Sequence, residues 1–252
     1  MDIPAYLQRI AYRGSLAPTG ETLRELQLAH LLAVPFENLS IHANEPIILD
    51  DDALFDKIVN RRRGGFCYEL NGLFRALLNA LGFNVAMLSA GVVNADGIVS
   101  PDFDHMTLMV TLEDRWLADV GFGDSFREPL LLDERQEQIQ GNRAYKITPD
   151  GSHLILSQCV AADEWKSQYR FTLEPYSYPD YAEMCHYHQT SPQSHFTKAP
   201  LCTMATPDGR LTLSDMRLIT TLNGGERQER ALKSEEEYAT VLRERFGIVI
   251  TN

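Results

Sequence analysis

Apolar and polar positions alternate with two different periods along the chain, and the change falls near residue 82. Before it the spacing is helical: Ala5 to Ile10 and Thr22 to Leu32 form two helices, the second placing Leu23, Leu26, Leu31 and Leu32 on one side, and Pro35 ends it. Asp50 to Asn60 reads as a short helix with Asp50 or Asp51 as N-cap. From Cys67 the apolar residues Leu70, Leu73, Phe74, Leu77, Leu78 and Leu81 keep i, i+3, i+4 spacing until Gly82 stops the helix. Beyond Gly82 come short β-rich runs, Val85 to Val93, Met106 to Leu112, Trp116 to Val120 and Leu154 to Val160, cut by Gly, Asn, Asp and Pro. Arg210 to Leu213 and Arg217 to Asn223 are further strands, and Ser234 opens a last helix with an acidic first turn. Helices, then strands, then a mixed segment predict an α+β protein.

Composition narrows the picture. The 252 residues are 44% hydrophobic and 23% charged, enough for a substantial core. The net charge of −12 argues against a general affinity for nucleic acid or anionic membrane. Met1-Asp2-Ile3-Pro4 is not the start of a signal peptide, and no apolar run approaches a membrane span, so a cytoplasmic protein is expected. Cys67, Cys159, Cys185 and Cys202 lie far apart, which predicts free thiols rather than a disulfide scaffold.

Cys67 begins the strongest helix, directly after Arg61-Arg62-Arg63-Gly64-Gly65-Phe66. Unpaired N–H groups and the helix dipole favour a thiolate there, and the glycine pair permits close backbone approach. A small buried core cysteine is the competing reading. His105, in Asp104-His105-Met106-Thr107-Leu108, is a candidate base; Asp119, in Leu117-Ala118-Asp119-Val120-Gly121-Phe122-Gly123, is a carboxylate in need of a partner. A hairpin turning at Glu113-Asp114-Arg115 would set Asp119 opposite Met109, about 13 Å along the strand from His105. Contact would then need twist or a bulge near Asp119-Val120-Gly121. Glu37 and Arg63 are expected to form a buried ion pair bracing the Cys67 loop. Arg61-Arg62-Arg63 is either a phosphate contact or a solvated run. Cys185-His186-Tyr187-His188 with His195 has zinc-ligand types but no zinc-module spacing, and is expected to be a polar loop without metal. Asp208-Gly209 and Asn223-Gly224-Gly225 are turns.

The segment Arg62-Arg63-Gly64-Gly65-Phe66-Cys67-Tyr68-Glu69-Leu70-Asn71 resembles the active-site segment of the arylamine N-acetyltransferases. Val34-Pro35-Phe36-Glu37-Asn38-Leu39, His105-Met106-Thr107-Leu108, the Asp119 segment, Ser191-Pro192-Gln193-Ser194 and Phe246-Gly247-Ile248 are similar to that family in the same order. The resemblance implies a helical lobe over 1–83 carrying the nucleophile, a β-barrel lobe over 84–187 carrying His and Asp, and an α/β lid over 188–252. It implies a Cys67-His105-Asp119 triad of cysteine-protease type, moving acetyl from acetyl-CoA to an arylamine, hydrazine or N-hydroxyarylamine by a ping-pong route, without metal. It places Phe36, Phe122 and Phe126 at the acceptor, though core packing is an equal reading for Phe126, and Gly121 and Gly123 beside the acetyl-CoA channel. The working form would be a monomer or homodimer. The same triad would also serve an amide synthase, or a thiol hydrolase that passes the acyl group to water. A non-catalytic binding protein on an enzyme scaffold is a third class.

Overall fold

Side-chain caps start the N-terminal helices where the sequence supplies them. The computed structural model describes residues 1–161 and 164–249, with the side chains of 160 and 161 excepted. Helix α1 (Ile3–Arg9) opens with Asp2 accepting from the Ala5 N–H at 3.0 Å, and α2 (Gly20–Ala33) with Thr19 accepting from Thr22. A two-residue strand β1 (Phe36–Glu37) and a helical turn α3 (Leu39–His42) follow. In α4 (Asp51–Phe55) the cap is Asp50, which takes both Asp52 N–H and Ala53 N–H; the chain then widens into a π turn over Asp56–Asn60. Helix α5 (Cys67–Ala80) buries Leu70, Leu73, Phe74, Leu77 and Leu78 completely, and Gly82 leaves it at a φ of 91°. Each such side chain contributes about 1.5–3 kcal/mol of transfer free energy, so this stripe makes α5 the centre of the helical core, against Tyr6, Leu23 and Leu26.

Eight antiparallel strands follow: β2 (Asn84–Val92), β3 (His105–Thr111), β4 (Arg115–Ala118), β5 (Leu130–Leu131), β6 (Gln138–Gln140), β7 (Arg143–Asp150), β8 (His153–Ala161) and β9 (Glu164–Tyr176). Their order is β5-β4-β3-β2-β9-β8-β7-β6. The two outer strands share no backbone ladder. Instead Gln138 exchanges both amide hydrogen bonds with the Leu131 backbone, and Gln140 accepts from Arg127 and Glu128 and donates to the Glu128 carbonyl. Glutamine side chains thus stitch the sheet into a nearly closed barrel around Leu88, Phe126, Tyr145, Leu156 and Phe171.

Helix α6 (Tyr178–Thr190) then packs Tyr181 and Cys185 into the helical core, crossing the expected boundary at 187–188. A second sheet orders β1, β10 (Leu201–Thr206), β11 (Gly209–Ser214), β12 (Arg217–Leu222) and β13 (Arg227–Ala231). Strand β1 from the helical third therefore belongs to the C-terminal sheet, pairing Phe36 with Thr203. Helix α7 (Glu235–Phe246), capped by Ser234 and ended by Gly247 at a φ of 70°, covers that sheet with Val241, Leu242 and Phe246. The architecture is α+β. No helix among the described residues is long and apolar enough to cross a membrane.

Candidate active site

Two glycines let strand β1 lie against the loop before Cys67. A Cβ on Gly64 would stand 2.0 Å from the Pro35 carbonyl oxygen, and one on Gly65 would meet Glu69 at 2.6 Å. The Glu37 N–H donates to the Gly65 carbonyl at 2.9 Å. The tight bend itself is made at Arg62, which adopts a φ of 53°. Buried charges brace the loop on both sides. Arg63 donates to Glu37 at 3.0 Å, the ion pair expected from sequence, and Glu37 also accepts from the Leu39 N–H. A second buried pair, Lys57 with Glu69 at 2.6 Å, was not legible in advance; the Glu69 carboxylate also takes the Phe66 N–H at the head of α5. Arg9 spends its guanidinium on the carbonyls of Ala33, Ile58 and Arg63. Removing one partner from such a buried pair costs about 3–5 kcal/mol, so the loop is held in one conformation.

Strands β3 and β4 bring the carboxylate to the imidazole without a bulge. Thr111 pairs with Arg115 and Leu108 with Ala118, so the turn is Leu112-Glu113-Asp114, one residue earlier than expected. This corrects the expected register, in which Asp119 faced Met109: Asp119 instead falls level with Thr107, two residues from His105 on the same face. His105 Nε2 lies 2.7 Å from Asp119 Oδ2, with both residues buried. Asp119 also accepts from Tyr169 at 3.2 Å, Asn71 at 2.9 Å and the Gly121 N–H at 2.8 Å. Asn71 further donates to the Met106 carbonyl and accepts from Val120. Sequence reasoning gave no role to Asn71 or Tyr169. The available signal for Asn71 was a polar side chain one turn after Cys67 on a buried helix face; Tyr169, from the far side of the barrel, left none.

Burial of the Asp119 carboxyl works toward a higher pKa, but the His105 charge and the hydrogen bonds from His105, Asn71 and Gly121 outweigh it and hold the group below its ordinary value. Cys67 goes the opposite way. Burial pushes its thiol well above the ordinary value, against a lowering contact from the Met106 backbone, and the Asp104 and Asp119 charges add to the rise. Desolvation at this 3% exposed position therefore works against the acidification expected from the helix start.

A cavity of about 310 Å³ is lined by Cys67, His105, Phe36, Gly121, Phe122 and Phe196, with Asp104, His188 and His195 at its side. Phe122 stands edge-on to His105, centroids 5.2 Å apart. Gly121 is a steric necessity, since a Cβ there would approach Cys67 Cα to 2.7 Å. Gly123, at a φ of 94°, lies outside this cavity, as does Phe126. Phe126 is 1% exposed in the barrel core against Tyr145, so of its two sequence readings the core position is the one observed. Cys185 and His188 lie on the buried face of α6 while His186 points outward, so the expected polar loop is a helix. Among the described residues no three His, Cys, Asp or Glu side chains are grouped to hold a metal ion.

Known proteins are similar to this chain along nearly its whole length. The N-acetyltransferase family model matches residues 19–252, which makes the chain an acyltransferase. The arylamine N-acetyltransferase of Escherichia coli (strain K12) is 35% identical over 246 residues, covering 96% of this chain and 87% of that protein. The arylamine N-acetyltransferase / N-hydroxyarylamine O-acetyltransferase of Salmonella typhimurium is 35% identical over 251 residues, 98% of this chain and 89% of that one. Mycobacterium marinum arylamine N-acetyltransferase in complex with CoA superposes with a TM-score of 0.90 at 34% identity, covering 98% of this chain and 93% of that one. The chain belongs to the arylamine N-acetyltransferase family.

Proposed function

We propose that the chain carries acetyl from acetyl-CoA, as a thioester on Cys67, to an arylamine, hydrazine or N-hydroxyarylamine. The observation that carries this reading is the buried His105–Asp119 contact of 2.7 Å opening onto the same aromatic cavity as Cys67. Because burial disfavours an isolated thiolate at Cys67, the nucleophile works as a thiolate–imidazolium pair. Asp119 engages Nε2, which leaves Nδ1 of His105 to take the thiol proton. The sulfur attacks the acetyl carbonyl of the donor thioester, the C–S bond to CoA breaks, and the imidazolium returns its proton to the departing thiolate. In the second half the acceptor nitrogen, or the hydroxyl oxygen of an N-hydroxyarylamine, attacks the Cys67 thioester. His105 takes the acceptor's proton and the Cys67 sulfur leaves. Phe36, Phe122 and Phe196 supply aromatic walls for the acceptor ring. Arylamine acceptors are supported by the names of the relatives, and the CoA donor by the Mycobacterium marinum complex.

Intact-mass analysis after incubation with acetyl-CoA is expected to show one acetyl group, lost in Cys67→Ala and discharged by added arylamine. Acetate release at a rate that added amine leaves unchanged would instead mark a thiol hydrolase.

A further inference from the structure

The transfer chemistry leaves unused a second imidazole–carboxylate pair at the same cavity. Asp104 directly precedes His105 in the chain, and His188 reaches it from α6: Nε2 of His188 lies 3.2 Å from Oδ1 of Asp104. Nδ1 of His188 faces the Ser194 hydroxyl at 3.1 Å, and the second oxygen of Asp104 accepts from Ser100 at 2.5 Å. Edge contact with Phe196, centroids 5.0 Å apart, holds the His188 ring.

Asp104 and His188 line both the Cys67 cavity and an adjoining one of about 250 Å³, so the pair stands at the neck between them. The inner chamber is walled largely by Phe36, Phe122, Phe196 and Leu201; the outer one adds Asn94, Gln193 and Ser194. His188 is 4% exposed, whereas the Asp104 side chain keeps 20% of its surface open. An ionised carboxylate offers about four acceptor sites. Ser100 and His188 occupy two sides of Asp104 and leave acceptor capacity toward the cavities. Burial alone would raise this carboxyl's pKa, but the adjacent His188 imidazole, the Ser100 hydroxyl and the His105 charge lower it overall, so the group is an anion at neutral pH.

We propose that Asp104, braced by His188, is a polar subsite of the acceptor pocket that selects arylamines and hydrazines carrying a hydrogen-bond-donating or cationic substituent and excludes those carrying a carboxylate. This rests on the acetyl-transfer reading for the identity of the acceptor, though not for the recognition itself. A fixed anion inside a largely apolar chamber repels a second anion about 6 Å away by roughly one to two powers of ten in affinity.

The matched probes are 4-aminobenzoate and 4-aminobenzamide, which share a ring and an amine and differ in substituent charge. Their equilibrium binding to the full chain, read by calorimetry, requires no turnover. The wild type is expected to bind the amide at least about tenfold more tightly, and Asp104→Asn to bring the two affinities together. His188→Gln is expected to keep the preference for the amide, because Asp104 retains its charge. Loss of the preference in one half of the pair and its retention in the other do not arise from general loosening of the fold. Equal wild-type affinities, binding of neither probe, or an unchanged ratio in Asp104→Asn would each overturn the subsite. Acetylation of Cys67 by acetyl-CoA, followed by intact mass in the same preparations, reads the transfer chemistry separately. If Cys67 stays unmodified while the binding ratio shifts as expected, the transfer reading falls and the subsite stands.

Discussion

Two histidine–aspartate pairs flank the Cys67 cavity, and they differ in how their carboxylates are used. Asp119 accepts from His105, Tyr169, Asn71 and the Gly121 backbone, which fills all the acceptor sites a carboxylate has. Asp104 accepts from Ser100, and its approach to His188 has the distance of an ion pair without the geometry of a hydrogen bond. Asp119 also directly follows β4, whose register is fixed by backbone pairing, whereas Asp104 ends the 93–104 loop, where an isolated bridge joins Val93 to Val99. A saturated, immobile anion suits orienting an imidazole, because nothing else competes for it. An unsaturated one with open surface suits meeting a ligand. The difference between the two pairs lies in their satisfaction, since both carboxyls are held below the ordinary range.

The contrast is broken most directly at Asp119. Asp119→Asn keeps the shape but supplies an amide where His105 needs an anion, and the rate of Cys67 acetylation by acetyl-CoA is expected to fall about 10³–10⁴-fold. Stopped acetylation time courses read by intact mass give that rate; retention of more than about a tenth of it would remove the distinction between the pairs. The same variant tests the charge of the buried carboxyl. A folded-state pKa below the unfolded one contributes stability above the unfolded pKa that is lost as pH falls through the folded pKa. Denaturant midpoints are therefore expected to drop as the wild type is acidified below the usual carboxylate range, with a shallower drop in Asp119→Asn. A next, smaller effect belongs to Asn71, whose amide ties Asp119 to the Met106 carbonyl and the Val120 N–H. Asn71→Ala leaves those buried groups short of partners and is expected to cost about 1–3 kcal/mol in urea unfolding.

Much of this layout is legible in the sequence, and the rest is hidden for definite reasons. The i, i+3, i+4 stripe from Leu70 to Leu78 identifies α5 because one helix face is wholly buried, and Asp50, Ser234 and Gly82 mark helix ends by local chemistry. Helix α6 escapes because its Tyr, His and Cys residues form no apolar stripe; its buried positions are Tyr181, Cys185 and His188. Strands β7 and β9 escape because Lys146, Thr148, Lys166 and Gln168 break the apolar run on the outer face of the barrel. At the site, Cys67 is visible from its glycine pair and helix start. Its thiol pKa is not, because helix position acts locally while desolvation depends on everything packed around the sulfur. The contact between His105 and Asp119 turns on a hairpin turn set one residue earlier, which shifts the pairing by two residues and which loop composition at 112–115 does not specify. Tyr169 and His188 arrive from distant elements, and nothing near them in the chain signals their destination.

The finest test of the comparison is Tyr169. Its hydroxyl donates to Asp119 Oδ2 at 3.2 Å and shares a 3.3 Å contact with Thr107, while its ring lies 5.1 Å from that of His105. Burial, with the Asp119 charge second, raises the phenol well above its ordinary value, so it acts as a neutral donor. Tyr169→Phe keeps the ring against His105 and deletes only the hydroxyl. Thr107 retains its contact with the Ala118 carbonyl, and Asp119 retains three other donors. The expected cost is about 0.5–1.5 kcal/mol in urea unfolding, with the Cys67 acetylation rate changed by less than about tenfold. If the carboxylate's saturation is what fixes His105, losing one donor of four is tolerated. A Tyr169→Phe rate as low as that of Asp119→Asn would mean that the hydroxyl itself sets the imidazole, and that counting acceptor sites is the wrong way to tell the two pairs apart.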